Sequence, residues 1–318
     1  MEKHISIETS NKIKFCCAIL IVLHHYFQFF FTSTGYSAEH TFLFLIIQQL
    51  GYTGVAVFFF LSGYGLMESE KRRHLTLKEF ISRRFFKIYF PYLLVTSLWL
   101  PVLYSVVKSN ENPGITNIIY NLLWNGEDNV LWFIKILLLL YIMFYVYTSI
   151  HRKDNHYAKA ALIAMTIMCC IIAYYTIGYY SYISVPIFTL GIIYSIYQDK
   201  EFTKNNPFIR LFIAACVAIG ISAILCQNIF FMMQSVVNFS IILLLVLSIR
   251  KWDSEAKRKK RKVLDYSVSF DIYLIHNKVL MVFATFFHQS TMNSFITYLL
   301  LVFVFSFLFF RLRKTCKI

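Results

Sequence analysis

Ten long apolar runs, separated by short polar segments, constrain this chain more than any other feature of its sequence. A helix needs roughly 20 mostly apolar residues to cross the hydrocarbon core of a bilayer, and these runs are of about that length. Little chain remains outside them, so we expect an all-α, polytopic integral membrane helical bundle of about ten transmembrane helices. We also expect one domain over 1–318, with no separate soluble domain. The runs cover residues 13–31, 42–67, 85–107, 131–150, 158–176, 179–198, 208–226, 229–249, 264–287 and 293–311.

The overall composition supports a membrane protein over a soluble one. Hydrophobic residues make up 58% of the chain and charged residues 15%, whereas soluble domains carry about 45–50% apolar and about 25% charged residues. No small-residue cleavage site follows the first run, which is therefore predicted to be a retained span and not a signal peptide. The seven cysteines lack the spacing of metal ligands, so no metal site is predicted.

The positive charges are distributed as in a multi-pass membrane protein. The formal net charge is +15. With the amino terminus inside, all but three of the 31 Lys and Arg fall in inner segments, the exceptions being Lys108, Lys135 and Lys278. This asymmetry predicts that both termini are cytoplasmic. The basic excess therefore indicates topology, with the binding of anionic lipid headgroups or cofactors as a secondary role, and it does not indicate nucleic-acid binding.

The first span carries an unusual set of ionisable residues, in the stretch KFCCAILIVLHHYFQFFF (14–31). Eleven helical steps separate Lys14 from His25, which puts them within roughly 20° on one face and about 16 Å apart along the axis. His24 points about 100° away from that face. Ionisable groups within hydrocarbon are costly and usually face a cavity or a partner, so this face predicts a functional route. The alternatives are an inner charge anchor at Lys14 and a histidine that hydrogen-bonds another helix.

The ninth span repeats this pattern of polar residues. Tyr273 and His276 share a helical row with Ser269, whereas Asp271 and Lys278 occupy a neighbouring row and are candidates for an intramembrane ion pair. His276 and His25 each lie about twelve residues from the inner end of their apolar runs. The two imidazoles are therefore predicted at similar depth.

The inner ends of the second and third spans offer candidate anion-binding groups. The second run ends with Ser62 and Gly63, for which close helix packing is the alternative explanation. A helix is predicted to start at the capping box of Thr76. Arg84 lies on the apolar side of this helix, with Lys87 one turn further, which suits binding of a phosphate or carboxylate. The alternative is a membrane-surface helix whose cations extend to the headgroups.

Four sequence blocks occur in an order that resembles a known family: Lys14 with His25, then VFFFLSGYGL, then SRRFFKIYFPYLL, then LWF with the later DIYLIH. The chain resembles the bacterial membrane acyltransferase family three, whose members O-acylate exported glycans. The resemblance implies a multi-pass protein of the bacterial inner membrane. It also implies cytoplasmic acetyl-CoA, or another acyl-CoA, as co-substrate and a glycan or lipid-linked saccharide as acceptor. Lys14 and Lys87 stand where the family usually has Arg, and Lys cannot make the bidentate contact to phosphate. The matching positions are Lys14, His25, Ser62, Gly63, Arg84, Lys87 and His276.

These residues lead to a mechanistic hypothesis. The phosphates of CoA are expected near Lys14, Arg84 and Lys87, and the thioester near His25. His25 is expected to act as a general base or as an acyl carrier, and His276 or Tyr273 to orient it or to stabilise the oxyanion. The alternative is a transporter or flippase for a lipid-linked glycan, with an intramembrane proton relay. Transporters often show two related halves, which this sequence lacks.

Overall fold

A computed structural model describes most of the chain, and the described part is helical. The expectation of an all-α fold is confirmed there, because the described residues contain no strand. A helix satisfies its own backbone hydrogen bonds, as a chain of such long apolar runs requires inside a bilayer. The described residues are 5–33, 42–125, 132–153, 155–177, 179–199, 208–210, 213, 229–256, 266–287 and 292–316.

The helices follow the apolar runs of the sequence. Short π-helical turns extend some of them, at Ile81–Phe85, Leu103–Val107 and Asn121–Asn125, and a 3-10 turn at Tyr266–Val268 precedes another. In chain order the α-helices of the described residues are α1 (Ile7–Ser33), α2 (Phe42–Arg72), α3 (Leu77–Phe80), α4 (Phe86–Val102), α5 (Ile115–Tyr120), α6 (Trp132–Lys153), α7 (Asn155–Thr176), α8 (Tyr179–Tyr182), α9 (Val185–Tyr197), α10 (Ile229–Ala256), α11 (Ser269–Phe286) and α12 (Met292–Thr315).

Seven of the ten predicted spans have helices long and apolar enough to cross a membrane within the described residues. Two further runs correspond to shorter apolar helices, Val185–Tyr197 and Gln234–Ser248. The predicted span 208–226 lies largely outside the described residues. The count of ten and the cytoplasmic position of both termini therefore stay predictions. The seven candidate spans are Ile7–Phe30, Gln49–Arg72, Leu77–Val107, Trp132–Arg152, Tyr157–Thr176, Tyr266–Phe286 and Asn293–Thr315.

The chain divides into two compact units that alternate along the sequence. Unit 1 comprises Met1–Cys17, Tyr52–Phe80 and Ile136–Leu264, and unit 2 comprises Ala18–Gly51, Ile81–Lys135 and Asp265–Ile318. No single boundary in the sequence separates these two units. The single domain expected over 1–318 stays a prediction.

Two glycines bring α2 and α9 into close contact in unit 1. A Cβ added to Gly63 would lie 3.0 Å from the carbonyl carbon of Phe188 and closer still to its oxygen. A Cβ added to Gly191 would lie 2.9 Å from the backbone nitrogen of Tyr64, and closer still to the carbonyl oxygen of Phe60. Glycine is therefore required on both sides of this crossing, as in the close helix pairs of membrane proteins.

A buried carboxylate holds together the polar end of the same helix pair. Glu68 Oε1 accepts hydrogen bonds from Ser195 Oγ at 2.6 Å and Gln198 Nε2 at 2.8 Å. Lys71 Nζ donates to the same oxygen at 2.9 Å. Glu68 is only 7% exposed, so these donors compensate for the cost of removing its charge from water.

In unit 2 the segment after α4 folds back along that helix. Asn121 Nδ2 donates to Tyr104 Oη at 3.3 Å, and Tyr89 Oη donates to the Leu123 carbonyl at 2.8 Å. Leu122 packs against the cluster formed by Trp99, Leu100 and Leu103. Other apolar side chains of this segment, such as Ile119, Leu123 and Trp124, stay exposed, so Leu122 and the two hydrogen bonds provide the contacts that hold it against the helix.

Candidate active site

Two histidines from different membrane spans meet inside unit 2. His25 of α1 and His276 of α11 have ring centroids 5.2 Å apart, with their planes tilted by 30°. His276 is fully buried and His25 is partly exposed. His276 lies about 10 Å along the axis from Ser269 and about 15 Å from Phe286, so the pair sits in the interior of the span. The two imidazoles predicted at similar depth are therefore in contact, and their catalytic role stays a prediction.

The backbone of α11 fixes the orientation and the tautomer of His276. Its Nδ1 lies 2.8 Å from the Tyr273 carbonyl oxygen and 3.2 Å from the Ile272 carbonyl oxygen. Carbonyl oxygens only accept hydrogen bonds, so Nδ1 must carry the proton. In the neutral ring, Nε2 then bears the lone pair and is the basic nitrogen.

Two tyrosines contact His276, one at its ring and one at its backbone. The ring of Tyr273 lies 5.7 Å from the His276 ring and 5.0 Å from the ring of Phe133 on α6. Tyr298 of α12 donates from its hydroxyl to the His276 carbonyl at 3.4 Å, and its ring stacks on Tyr26 of α1 at 5.1 Å. Aromatic contacts therefore connect this part of α11 to α1, α6 and α12.

A buried ion pair connects α11 to α12 at Asp271, five residues before His276. Arg313 Nε donates to Asp271 Oδ1 and its terminal nitrogen to Oδ2, each at 2.9 Å. The sequence suggested Lys278 as the partner of Asp271 and treated Arg313 as an inner charge anchor. The structure corrects this assignment, because the bidentate guanidinium is the better partner for a fully buried carboxylate.

Lys278 instead lies beside α4, on the side of α11 away from His276. Its Nζ is 6.0 Å from the centroid of the Trp99 ring, and the side chain is 6% exposed. Two residues along a helix correspond to a rotation of about 200°, which explains why His276 and Lys278 face different neighbours. Lys278 also lines an otherwise apolar groove of about 710 Å³ formed by α4, α11 and α12.

The candidate donor-binding cations of unit 2 lie at the start of the third span. Arg84 belongs to the π-helical turn Ile81–Phe85 and is partly buried, whereas its neighbour Arg83 is exposed. Lys87 follows in α4 and is exposed. The helix begins as expected, because Glu79 N donates to Thr76 Oγ1 at 3.3 Å and Thr76 N to Glu79 Oε2 at 3.1 Å. Arg84 is thus the cation turned toward protein, as its position in the sequence predicts.

The other predicted donor-site residues belong to unit 1. Lys14 lies on α1 and is partly buried, and Ser62 on α2 is partly buried as well. Gly63 is in the helix crossing described above, so helix packing is the role for which the structure shows contacts. Joint binding of an acyl-CoA by these residues stays a prediction.

Sequence reasoning missed Arg313, Tyr298 and the surroundings of His24. Arg313 and Tyr298 lie on α12, and both contact residues of α11. Sequence spacing within α12 cannot indicate contacts with another helix. His24 is 4% exposed, and its ring centroid lies 4.7 Å from that of His25. The adjacent pair of histidines was the available signal, but the sequence alone did not indicate which helix His24 contacts.

The geometry brings two imidazoles together within a span, one fully buried and one partly exposed. A neutral imidazole can accept a proton from a hydroxyl. Such a group suits acyl transfer to an alcohol, which requires removal of that proton as the oxygen attacks.

Comparison with known protein families leads to the same chemistry. The model of acyltransferase family 3, described as an acyltransferase domain, matches residues 11–311. Comparisons with curated proteins and with solved structures give no match. The family match covers almost the whole helical bundle, including both histidines of the buried pair. The chain therefore belongs to acyltransferase family 3 and is a membrane acyltransferase.

Proposed function

We propose that this protein transfers an acyl group, in the first instance acetyl, from cytoplasmic acyl-CoA to a hydroxyl of an exported or cell-surface glycan. Its location would be the bacterial inner membrane. The observation that carries the proposal is the contact between His25 and His276 in the interior of the spans of a membrane acyltransferase. The donor and the acceptor would approach this pair from opposite sides of the membrane.

The reaction needs one proton acceptor at the site of bond formation. An imidazole nitrogen of the pair takes the proton of the acceptor hydroxyl while the hydroxyl oxygen attacks the carbonyl carbon of the thioester. The new C–O bond forms, the C–S bond breaks, and the imidazolium returns the proton to the departing thiolate of CoA. In the variant with an acyl-histidine, the ring nitrogen first attacks the thioester carbon and releases the CoA thiolate. The hydroxyl then displaces the ring nitrogen from the acyl group, and the proton of the hydroxyl passes to that thiolate.

Of the two rings, that of His276 is held in one orientation and one tautomer by its backbone hydrogen bonds. Since its Nδ1 donates to backbone carbonyls, its Nε2 is the nitrogen that would accept a proton. His25, which is partly exposed, is then the ring better placed to contact the substrates. Tyr273 packs beside His276 and supplies a hydroxyl as a candidate donor to the oxyanion.

The donor phosphates would bind at the cytoplasmic side. Arg84 is partly buried and able to form two parallel hydrogen bonds with a phosphate. Lys87 would add positive charge without the bidentate geometry. Loss of Arg84 should therefore weaken donor binding while the chemical step is unaffected.

The test uses purified protein in proteoliposomes with labelled acetyl-CoA and a polysaccharide acceptor. Wild-type protein should release CoA and transfer label to the glycan, and His25→Ala at equal membrane abundance should do neither. Cys16→Ala on the same helix is the control, since Cys16 is exposed and has no assigned role. Transfer at the wild-type rate by His25→Ala would refute the proposal.

The same experiment separates an enzyme from a flippase. A flippase would move a lipid-linked glycan without releasing CoA, and its activity would not depend on the acyl donor. Release of free CoA coupled to acylation of the acceptor favours the transferase, as family membership already does.

A further inference from the structure

The contacts of His24 assign a role to a residue that the catalytic scheme leaves unused. His24 lies next to His25 on α1, and its ring is almost completely buried, at 4% exposed. The two imidazoles meet edge to face, with centroids 4.7 Å apart and planes at 73°. His25 in turn faces His276, so the three rings form a continuous row.

The His24 side chain also rests on the backbone of α2 at Gly51. A Cβ added to Gly51 would lie 2.7 Å from His24 Nδ1, and closer still to its Cγ and Cβ. Real Cβ atoms almost never approach other heavy atoms within 3.0 Å. Glycine is thus the residue that leaves room for the ring at this position.

The backbone of Ile47, one turn earlier on α2, also lies beside the His24 ring. In an α-helix the carbonyl of residue 47 accepts the N–H of residue 51, so the two positions adjoin. Gly51 therefore makes room for the ring on a stretch of α2 that also presents the Ile47 carbonyl.

We infer that Gly51 and the Ile47 carbonyl form a notch that holds His24, and that His24 positions His25 for acyl transfer. This inference rests on the proposed function, since it assigns His24 an effect on a reaction at His25. His24 and Gly51 are positioning residues in this scheme. A ring that is packed against α2 restricts the rotation of the neighbouring imidazole, and misplacement of a reacting group by about 1 Å can cost about 100-fold in rate.

The test is a double-mutant cycle between positions 24 and 51, measured as acetyl transfer in proteoliposomes. Gly51→Ala should lower kcat by about 100-fold and leave the KM for acetyl-CoA unchanged, because the donor cations are elsewhere. In a His24→Gly background the added methyl group meets neither a ring nor a Cβ at position 24, so Gly51→Ala should have no further effect. Gly65→Ala on the same helix is the matched control, since a Cβ there meets nothing within 4 Å.

Each outcome decides the inference. An equal loss from Gly51→Ala in both backgrounds, or no loss in the wild-type background, would overturn it. If Gly51→Ala fails to accumulate in the membrane, His24→Ala alone decides, since wild-type kcat in that variant would also overturn it. Full activity of His25→Ala would instead refute the proposed function. An inactive His25→Ala beside fully active His24→Ala and Gly51→Ala would refute the positioning role alone.

Discussion

Replacing Arg313 with Ala should destabilise unit 2 and displace His276, because the change leaves the buried carboxylate of Asp271 without its partner. Asp271 is fully buried, and Arg313 is its bidentate partner, with two hydrogen bonds of 2.9 Å. The side chains are 0% and 12% exposed, so water cannot replace the guanidinium without opening the contact between α11 and α12. The variant must either bury an uncompensated carboxylate or move the helices apart.

The expected size of the effect follows from this burial. Removing one partner of a buried ion pair costs about 3–5 kcal/mol, mostly because the other charge is left alone. His276 lies five residues after Asp271 on the same helix, so a displacement of α11 also moves the imidazole. We therefore expect lower thermal stability in detergent together with a reduced kcat.

Thermal unfolding and acetyl transfer of the purified variants measure the two effects. Arg311→Ala is the control, because this exposed arginine contacts the ring of Phe307 at 4.9 Å and makes no buried pair. The double variant Asp271→Asn with Arg313→Gln removes both charges and should be more stable than Arg313→Ala. Equal stability of Arg313→Ala and Arg311→Ala would refute this reasoning.

Three further predictions concern other contacts. Gly63→Ala should cost about 1–3 kcal/mol by pushing α9 from α2, whereas Gly65→Ala should be neutral; equal melting temperatures would contradict this. Glu68→Ala should lower the free energy of unfolding by about 1–3 kcal/mol, because the buried donors around Glu68 lose their acceptor. Its control Glu8→Ala breaks an exposed pair with Lys12 and should cost about 1 kcal/mol or less. Arg84→Ala should raise the KM for acyl-CoA by about tenfold with kcat unchanged, and the exposed Arg83→Ala should not; an unchanged KM would indicate a structural role.

Apolar run length predicted the spans well because bilayer thickness sets it directly. The helices at residues 7–33, 132–153 and 269–286 lie close to the runs that predict them. The segment after α4 was harder to predict. Its polar residues indicate a loop, but Leu122 and Asn121 find partners on α4 that only the folded chain provides.

Within the candidate site, the sequence identified the groups but not all of their partners. Helical periodicity places His25 and His276 at comparable depth, and their contact comes from the packing of the two helices. It cannot decide which residue on another helix faces Asp271, since the rotation and depth of α12 follow from packing. Gly51 carried no signal at all, because the need for a glycine depends on the His24 ring that lies against it.

The most direct test of the account is the rate of acyl transfer by His25→Ala, His276→Ala and the double variant, at equal protein abundance in proteoliposomes. If the two imidazoles act as one unit, each single variant should lose nearly as much activity as the double variant. Wild-type rates in either single variant would contradict the claim that this buried pair carries out the reaction.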